Sequence, residues 1–262
     1  MNEQVILSAK SLTKSFPIDG KKRRIVVNDL NLDMFKGETL SLVGESGCGK
    51  STLARLFMRL IRPDSGEIIF DGVNVSDLSE NAFRPYRKRI QMVFQDPASS
   101  LDPRMKVRDI IAEPLRIWNV CKDNKEIDER VLELLDMVEL KESAANKYPH
   151  EFSGGQKQRI GIARAIAISP DLLICDESVS ALDVSVQAQI LNLLKRLKRE
   201  LGLSCLFISH DLSVVNFISD RVCVMKDGKI CEIADAQSIY KSPAHEYTRF
   251  LLAAIPTIEY AE

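Results

Sequence analysis

The stretch TLSLVGESGCGKSTLARLFMRLI, residues 39–61, constrains the fold more than any other part of the chain. A short apolar run, Thr39 to Val43, leads into a glycine-rich turn. Leu53, Leu56, Phe57, Leu60 and Ile61 then follow at helical spacing. Pro63 and Gly66 are expected to end that helix. Within the turn, Gly44, Gly49, Lys50 and Ser51 match G-x-x-x-x-G-K-[ST]. The glycines let the backbone wrap until consecutive N–H groups point inward and form an anion nest. The helix behind adds its positive N-terminal end. Lys50 supplies a mobile cation, and the Ser51 hydroxyl is suited to ligate Mg²⁺. The expected phosphate cradle is Gly44, Glu45, Ser46, Gly47, Cys48, Gly49, Lys50, Ser51 and Thr52. This motif alone does not separate kinase, GTPase, helicase and transport ATPase.

Further strands follow the same logic. IQMVF at 90–94, LLICDES at 172–178 and SCLFISHD at 204–211 are apolar runs that end in polar groups. Between the last two, VQAQILNLLKRLKREL reads as a crossover helix. Such alternation implies a parallel sheet covered on both faces. RVCVMKDGKICEIA, residues 221–234, predicts a hairpin turning at Asp227-Gly228, and with it an antiparallel edge or a small β layer. Residues 95–164 interrupt the alternation. There Ile127, Val131, Leu134, Leu135 and Val138 form one apolar stripe, the mark of an inserted helical region. The tail from 241 holds a short amphipathic piece between Pro243 and Pro256.

Composition excludes several classes. The chain has 262 residues, 45% of them hydrophobic, enough for one large α/β domain with an insertion. A net charge of −1 gives no global basic field to recruit nucleic acid, and the basic run Lys21 to Arg24 reads as a solvated loop. Six cysteines, none in a CxxC pair, are expected as reduced thiols, mostly buried. The opening MNEQVILSAKSL has no basic start followed by an apolar stretch, so no signal peptide is expected. No apolar run approaches the ~20 residues that cross a bilayer.

The strand ends carry the candidate chemistry. Leu172 to Cys175 runs into Asp176 and Glu177. An acid at the end of a strand neighbouring the phosphate loop helps hold magnesium, which suits Asp176. Glu177 is placed to orient or deprotonate an attacking water. His210 ends the next apolar run, where parallel sheets present groups to ligands, and is expected to sense the γ-phosphate. Gln95 is expected to reach magnesium or the water.

A second glycine motif, FSGGQ, starts another helix. Ser153 is a good N-cap, and Gly154 and Gly155 leave the backbone open to close approach. Taken alone, this is either an anion site or an ordinary capped helix.

The ordered set GESGCGKST, VFQDP, FSGGQKQRIGIARA, LLICDES, SALD and ISHD resembles that of an ABC-transporter ATPase over about residues 5–235. The resemblance implies an α/β P-loop NTPase (RecA-like) fold: a parallel-sheet core with an antiparallel β subdomain and an inserted helical subdomain. It divides the chain into a 1–240 ATPase domain, with core 1–94 and 165–240 and helical subdomain 95–164, and a 241–262 extension. It implies two ATP molecules sandwiched between two ATPase subunits. Ser153, Gly154, Gly155 and Gln156 would contact the neighbour's nucleotide, and the turn ending at Asp183 would link the sites. Phe16 would stack on adenine, and magnesium would be held by Ser51, Gln95 and Asp176.

FQDPASSLDPRMKV, CDESVSALDVSVQAQILNLL and SPAHEYTRFLLAAIP are similar to the dipeptide/oligopeptide/nickel importer branch. That branch implies two transmembrane permease subunits, contacted by residues 95–118, and an extracytoplasmic solute-binding protein. It implies a peripheral position on the cytoplasmic face of the inner membrane. Nickel or metal-chelate import is the other cargo within the branch, and a soluble ABC-type ATPase is a distant alternative. No cysteine follows Cys231, so no iron–sulfur centre is expected. Phe152 replaces the usual leucine of the signature. Ser178 stands where the family has proline and frees Glu177 from the pre-proline restriction.

Overall fold

The computed structural model describes residues 4–19 and 22–254. Lys21 and Pro256, named above, lie outside them. In chain order the strands are β1 (Val5–Asp19), β2 (Lys22–Phe35), β3 (Thr39–Val43), β4 (Ser65–Phe70), β5 (Val73–Asn74), β6 (Ile90–Val93), β7 (Leu172–Asp176), β8 (Ser204–Ile208), β9 (Arg221–Lys226) and β10 (Lys229–Asp235). The chain forms two compact units, one up to Asp77 and again from Leu206 onward, the other from Leu78 to Cys205.

The first unit holds two layers of strands. β2, β1, β4 and β5 make an antiparallel sheet in that order. Its strands alternate: Leu30, Leu32 and Met34 of β2 are buried and the residues between them exposed, as a sheet with one covered face requires. The basic run differs from expectation, because Lys22–Arg24 belong to β2. Arg23 is held there by Ser15 and Asp64, its side chain donating to Ser15 Oγ at 2.8 Å. The second layer follows the order β10, β9, β3, β8. Here β3 is buried at every residue and pairs parallel with β9, Leu40 opposite Arg221 through Val43 opposite Val224. The Ser209 amide donates to the Leu42 carbonyl, which brings the end of β8 beside β3. The expected hairpin is present. Asp227 and Gly228 take φ of 48° and 80°, the paired left-handed conformation of a type I′ turn, and β10 runs antiparallel to β9.

One helix is shorter than its apolar spacing predicts. It spans Lys50–Phe57, so Leu60 and Ile61 are not helical, and Leu60 is exposed. The chain leaves it in a Schellman turn: Arg59 N–H donates to Leu56 O, Leu60 N–H donates to Arg55 O, and Arg59 sits at φ 50°. The Arg59 guanidinium then donates to Val75 O at 2.9 Å, a tertiary bond that local periodicity does not reveal.

In the second unit β6 and β7 pair parallel, Ile90 opposite Leu172 through Val93 opposite Cys175. Between them in sequence lie the helices Val107–Ile117, Asn124–Met137 and Gly154–Ile166. The apolar stripe of Ile127, Val131, Leu134, Leu135 and Val138 is buried. Beyond β7 comes the crossover helix Val184–Leu201. Two arginines fasten the end of helix Asn124–Met137: Arg159 donates to Val138 O at 2.8 Å and Arg196 donates to Met137 O at 2.8 Å. Both also pair with Glu139, Arg159 at 2.6 Å and Arg196 at 3.0 Å.

Candidate nucleotide site

The glycine-rich turn leaves the buried end of β3 and is shaped by crowding. Gly44 has φ 151°, and a methyl group there would lie 2.1 Å from the Met225 carbonyl oxygen. Gly49 has φ 114°, and its methyl would lie 2.5 Å from Val26 O. Only glycine fits either position. Gly47 has φ 81° with open space around it. Cys48 is buried, and that burial pushes its thiol above the ordinary range.

Lys50 is buried at 4% exposure, with Nζ donating to Gly44 O at 2.7 Å and Glu45 O at 3.0 Å. Its cation therefore lies over the turn. Ser51 and Thr52 follow in the first helical turn. The helix that starts here has Gly49 as N-cap, no side-chain cap bond and no acid in its first turn. The helices opened by Ser79, Asp123, Ser153 and Asp183 each have a side-chain cap. An uncapped N-terminus flanked by a buried lysine suits an anion, so the residues present fit a nucleotide phosphate.

Two other expected groups lie in the same unit. His210 is exposed and follows β8 after Ser209, at the same end of the sheet as the turn after β3. Phe16 is exposed on β1, with Lys14 Nζ 5.6 Å from its ring centre. The open ring surface leaves room for a flat partner.

The second unit assembles the others in two pairs. Gln95 follows β6 and Asp176 ends β7, with Asp176 buried. Gln95 Nε2 donates to Glu177 Oε2 at 3.0 Å. Glu177 has φ 45°, a left-handed conformation unusual for a non-glycine residue. Its carbonyl accepts from Ser180 N–H at 3.2 Å and Ser180 Oγ at 2.9 Å, a tight turn that fixes the acid. Ser178, buried next to it, places no ring against that turn. A carboxylate gripped by an amide donor can orient a water and take its proton.

The other pair is the second glycine motif with the turn at Asp183. Ser153 Oγ accepts from Gln156 N–H at 3.4 Å, and Gln156 Oε1 accepts from Ser153 N–H at 3.1 Å, a complete capping box. The chain therefore satisfies part of this helix end itself, and the Ser153 cap bond is the longer of the two. A methyl on Gly154 would meet Leu182 at 3.4 Å, and one on Gly155 would meet Val186 at 2.3 Å. Gly155 thus serves close packing against the 182–186 turn, while Gly154 meets it at ordinary contact distance. Asp183 caps the following helix, accepting from Val186 N–H at 3.0 Å and Ser185 Oγ at 2.8 Å, and these bonds hold its carboxyl below the usual range.

Sequence reasoning missed Tyr247. Its hydroxyl accepts the Glu45 N–H at 3.2 Å, from a position 202 residues away. It also missed the Gly228 N–H, which donates to Cys48 O at 3.0 Å. Neither leaves a local signal.

A family profile described as ABC transporter matches residues 27–180. The chain belongs to the ABC transporter family. Among relatives of this ABC transporter chain, it is 55% identical over 231 residues to the oligopeptide transport ATP-binding protein OppF of Bacillus subtilis, covering 88% of this chain and 76% of that protein. It is 51% identical over 262 residues to the oligopeptide transport ATP-binding protein AppF of the same organism, covering 97% and 79%. Among solved structures, it is 32% identical, with a TM-score of 0.80, to the ATP-binding cassette MJ0796, described as dimeric, in a post-hydrolysis state and bound to ADP and Pi. That match covers 88% of this chain and 99% of the other. The α/β P-loop fold and the ATP-hydrolysing class of this ABC transporter chain rest on these likenesses. Among the described residues, no helix is long and apolar enough to cross a membrane.

Proposed function

We propose that the chain is the ATP-hydrolysing subunit that powers a bacterial importer of di- and oligopeptides. The observation that carries this reading is the 55% and 51% identity, over most of the chain, to two proteins described as oligopeptide transport ATP-binding proteins. In this reading the subunit pairs with a second ATPase subunit and works beneath two transmembrane permeases supplied by an extracytoplasmic solute-binding protein. It sits peripherally on the cytoplasmic face of the inner membrane. Residues 95–164 form the helical subdomain within a 1–240 ATPase domain, and the tail from 241 is the branch's extension.

Residue roles follow from chemistry. The Gly44–Thr52 loop holds the triphosphate through its amides and Lys50, and Phe16 stacks on the base. Ser51, Gln95 and Asp176 offer the hard oxygen ligands that Mg²⁺ prefers. When bound, Mg²⁺ would offset charge on the phosphate oxygens. Glu177 orients and deprotonates the attacking water, and His210 donates to the γ-phosphate. Ser153, Gly154, Gly155 and Gln156 close on the nucleotide held by the neighbouring subunit, with Asp183 at the junction. ATP then touches two subunits in the closed state and one in the open state, so it shifts the equilibrium by that difference in binding.

Two experiments test this. Deleting the chain from its host is expected to abolish uptake of labelled tri- and tetrapeptides and to leave nickel uptake unchanged. The opposite pattern overturns the cargo. Ser153→Arg places a bulky cation where the helix end meets the neighbour's nucleotide. ATP affinity is expected to stay within about twofold, while the ATP-dependent dimer disappears on size exclusion. A tight ATP-bound dimer of Ser153→Arg would sink the sandwich.

A further inference from the structure

We infer that Tyr247 is a positioning residue for the phosphate loop, tying nucleotide affinity to the docking of the C-terminal helix Glu246–Ala253. This rests on the reading that ATP binds the Gly44–Thr52 loop. The starting point is where the loop's backbone groups go. The Lys50 ammonium takes the carbonyls of Gly44 and Glu45. Gly228 N–H takes the carbonyl of Cys48 at 3.0 Å. Tyr247 Oη takes the amide of Glu45 at 3.2 Å. An N–H held by that phenol does not also turn toward a phosphate. The set of amides available to a nucleotide therefore begins after Glu45, whose expected part in the cradle becomes that of a fixed pivot.

The phenol is itself held in place. Tyr247 is 5% exposed, Lys226 Nζ lies 4.7 Å from its ring centre, and Phe250 stacks on it at 6.5 Å. Its backbone amide donates to His245 Nδ1 at 3.0 Å, which caps the helix. The segment before the helix is clamped by Glu232, whose carboxylate accepts the amides of Ala244 at 2.8 Å and His245 at 3.0 Å. β10 thus fixes the helix start, the helix fixes the ring, and the hydroxyl fixes the loop. A loop whose shape is set before ligand arrives spends less of the binding free energy on ordering itself.

Tyr247→Phe removes the hydroxyl and keeps the ring, its stacking and its cation contact. In the full-length chain, the Kd and KM for ATP are expected to rise about fivefold, the loss that one net hydrogen bond supports. Values of kcat within about twofold of wild type and a Tm within about 2 °C would separate this from a packing defect. Hydrogen exchange at the Glu45 amide, measured without nucleotide, is expected to accelerate at least about fivefold. Unchanged ATP affinity and unchanged Glu45 exchange in Tyr247→Phe overturn the inference. So does a rise in KM matched by falls in kcat and Tm. Lys50→Ala serves as the reference: if it still binds ATP with native affinity, the assignment of the loop fails. If it loses ATP while Tyr247→Phe behaves as wild type, only the role of Tyr247 fails.

Discussion

Replacing Glu177 by glutamine is expected to lower the turnover of ATP by about 10²–10⁴-fold, the contribution of one positioned general base, with little loss of ATP affinity. The geometry makes this substitution informative. Gln95 Nε2 donates to Glu177 Oε2 at 3.0 Å. A glutamine at 177 keeps a carbonyl oxygen able to accept that bond, so the loop retains its tie while losing a basic oxygen. The left-handed backbone at 177 and the two hydrogen bonds from Ser180 to its carbonyl are main-chain features that the change leaves alone. Backbone held in a sparsely populated region persists only where its surroundings over-determine it, so the side chain's direction is set by the turn. Steady-state hydrolysis by the assembled transporter, alongside ATP binding to the variant, gives the two readouts. Wild-type turnover in Glu177→Gln would remove the acid from the chemistry.

A methyl group at Gly44 is expected to abolish ATP binding and to destabilise the first unit by about 3 kcal/mol, through strained φ and steric overlap together. The added Cβ would lie 2.1 Å from Met225 O, 3.0 Å from Cys48 Sγ and 3.1 Å from Met225 C. Two of these atoms belong to backbone in β9, which is paired on both sides and has nowhere to retreat. For a chain of this size the change corresponds to a fall in Tm of about 6–12 °C. Gly47→Ala is the matched control, since its φ is also positive but nothing lies within 4 Å. It is expected to lose only about 1 kcal/mol, the cost of the backbone conformation alone. Thermal melts and ATP titrations of both variants check the pair. Equal losses would mean that backbone conformation, and not contact with β9, dictates glycine at 44.

Elements written in short-range pattern were legible. The glycine-rich turn, the acids closing β7, the Asp227-Gly228 hairpin and the buried helix stripe each depend on residues a few positions apart. What escaped depends on partners far away in sequence. The helix after the phosphate loop has apolar spacing as far as Ile61, yet it stops at Phe57 because Arg59 turns left-handed and reaches Val75. Nothing in an arginine announces that. The antiparallel sheet of β1, β2, β4 and β5 is implied by the family resemblance alone, and none of its strands shows in the local pattern. Its long strands carry several register shifts, which blur the alternation a reader would look for. The site divides in the same way. The acids at the end of an apolar run show in the sequence, whereas the bond between Gln95 and Glu177 joins residues 82 apart and neither run announces it. The bond from Glu45 to Tyr247 spans 202 residues and carries no motif.

The nearest walls against Gly44 and Gly49 are main-chain oxygens, those of Met225 and Val26, and the Met225 side chain adds a further contact on Gly49. A carbonyl is the same whatever side chain hangs beside it. Drift in residue identity at 26 therefore leaves the mould unaltered, whereas a shift of either strand by a fraction of an ångström would deform it. Tolerance at 26 and intolerance at 44 and 49 are two faces of one arrangement, in which the nearest template is backbone and the cast is glycine.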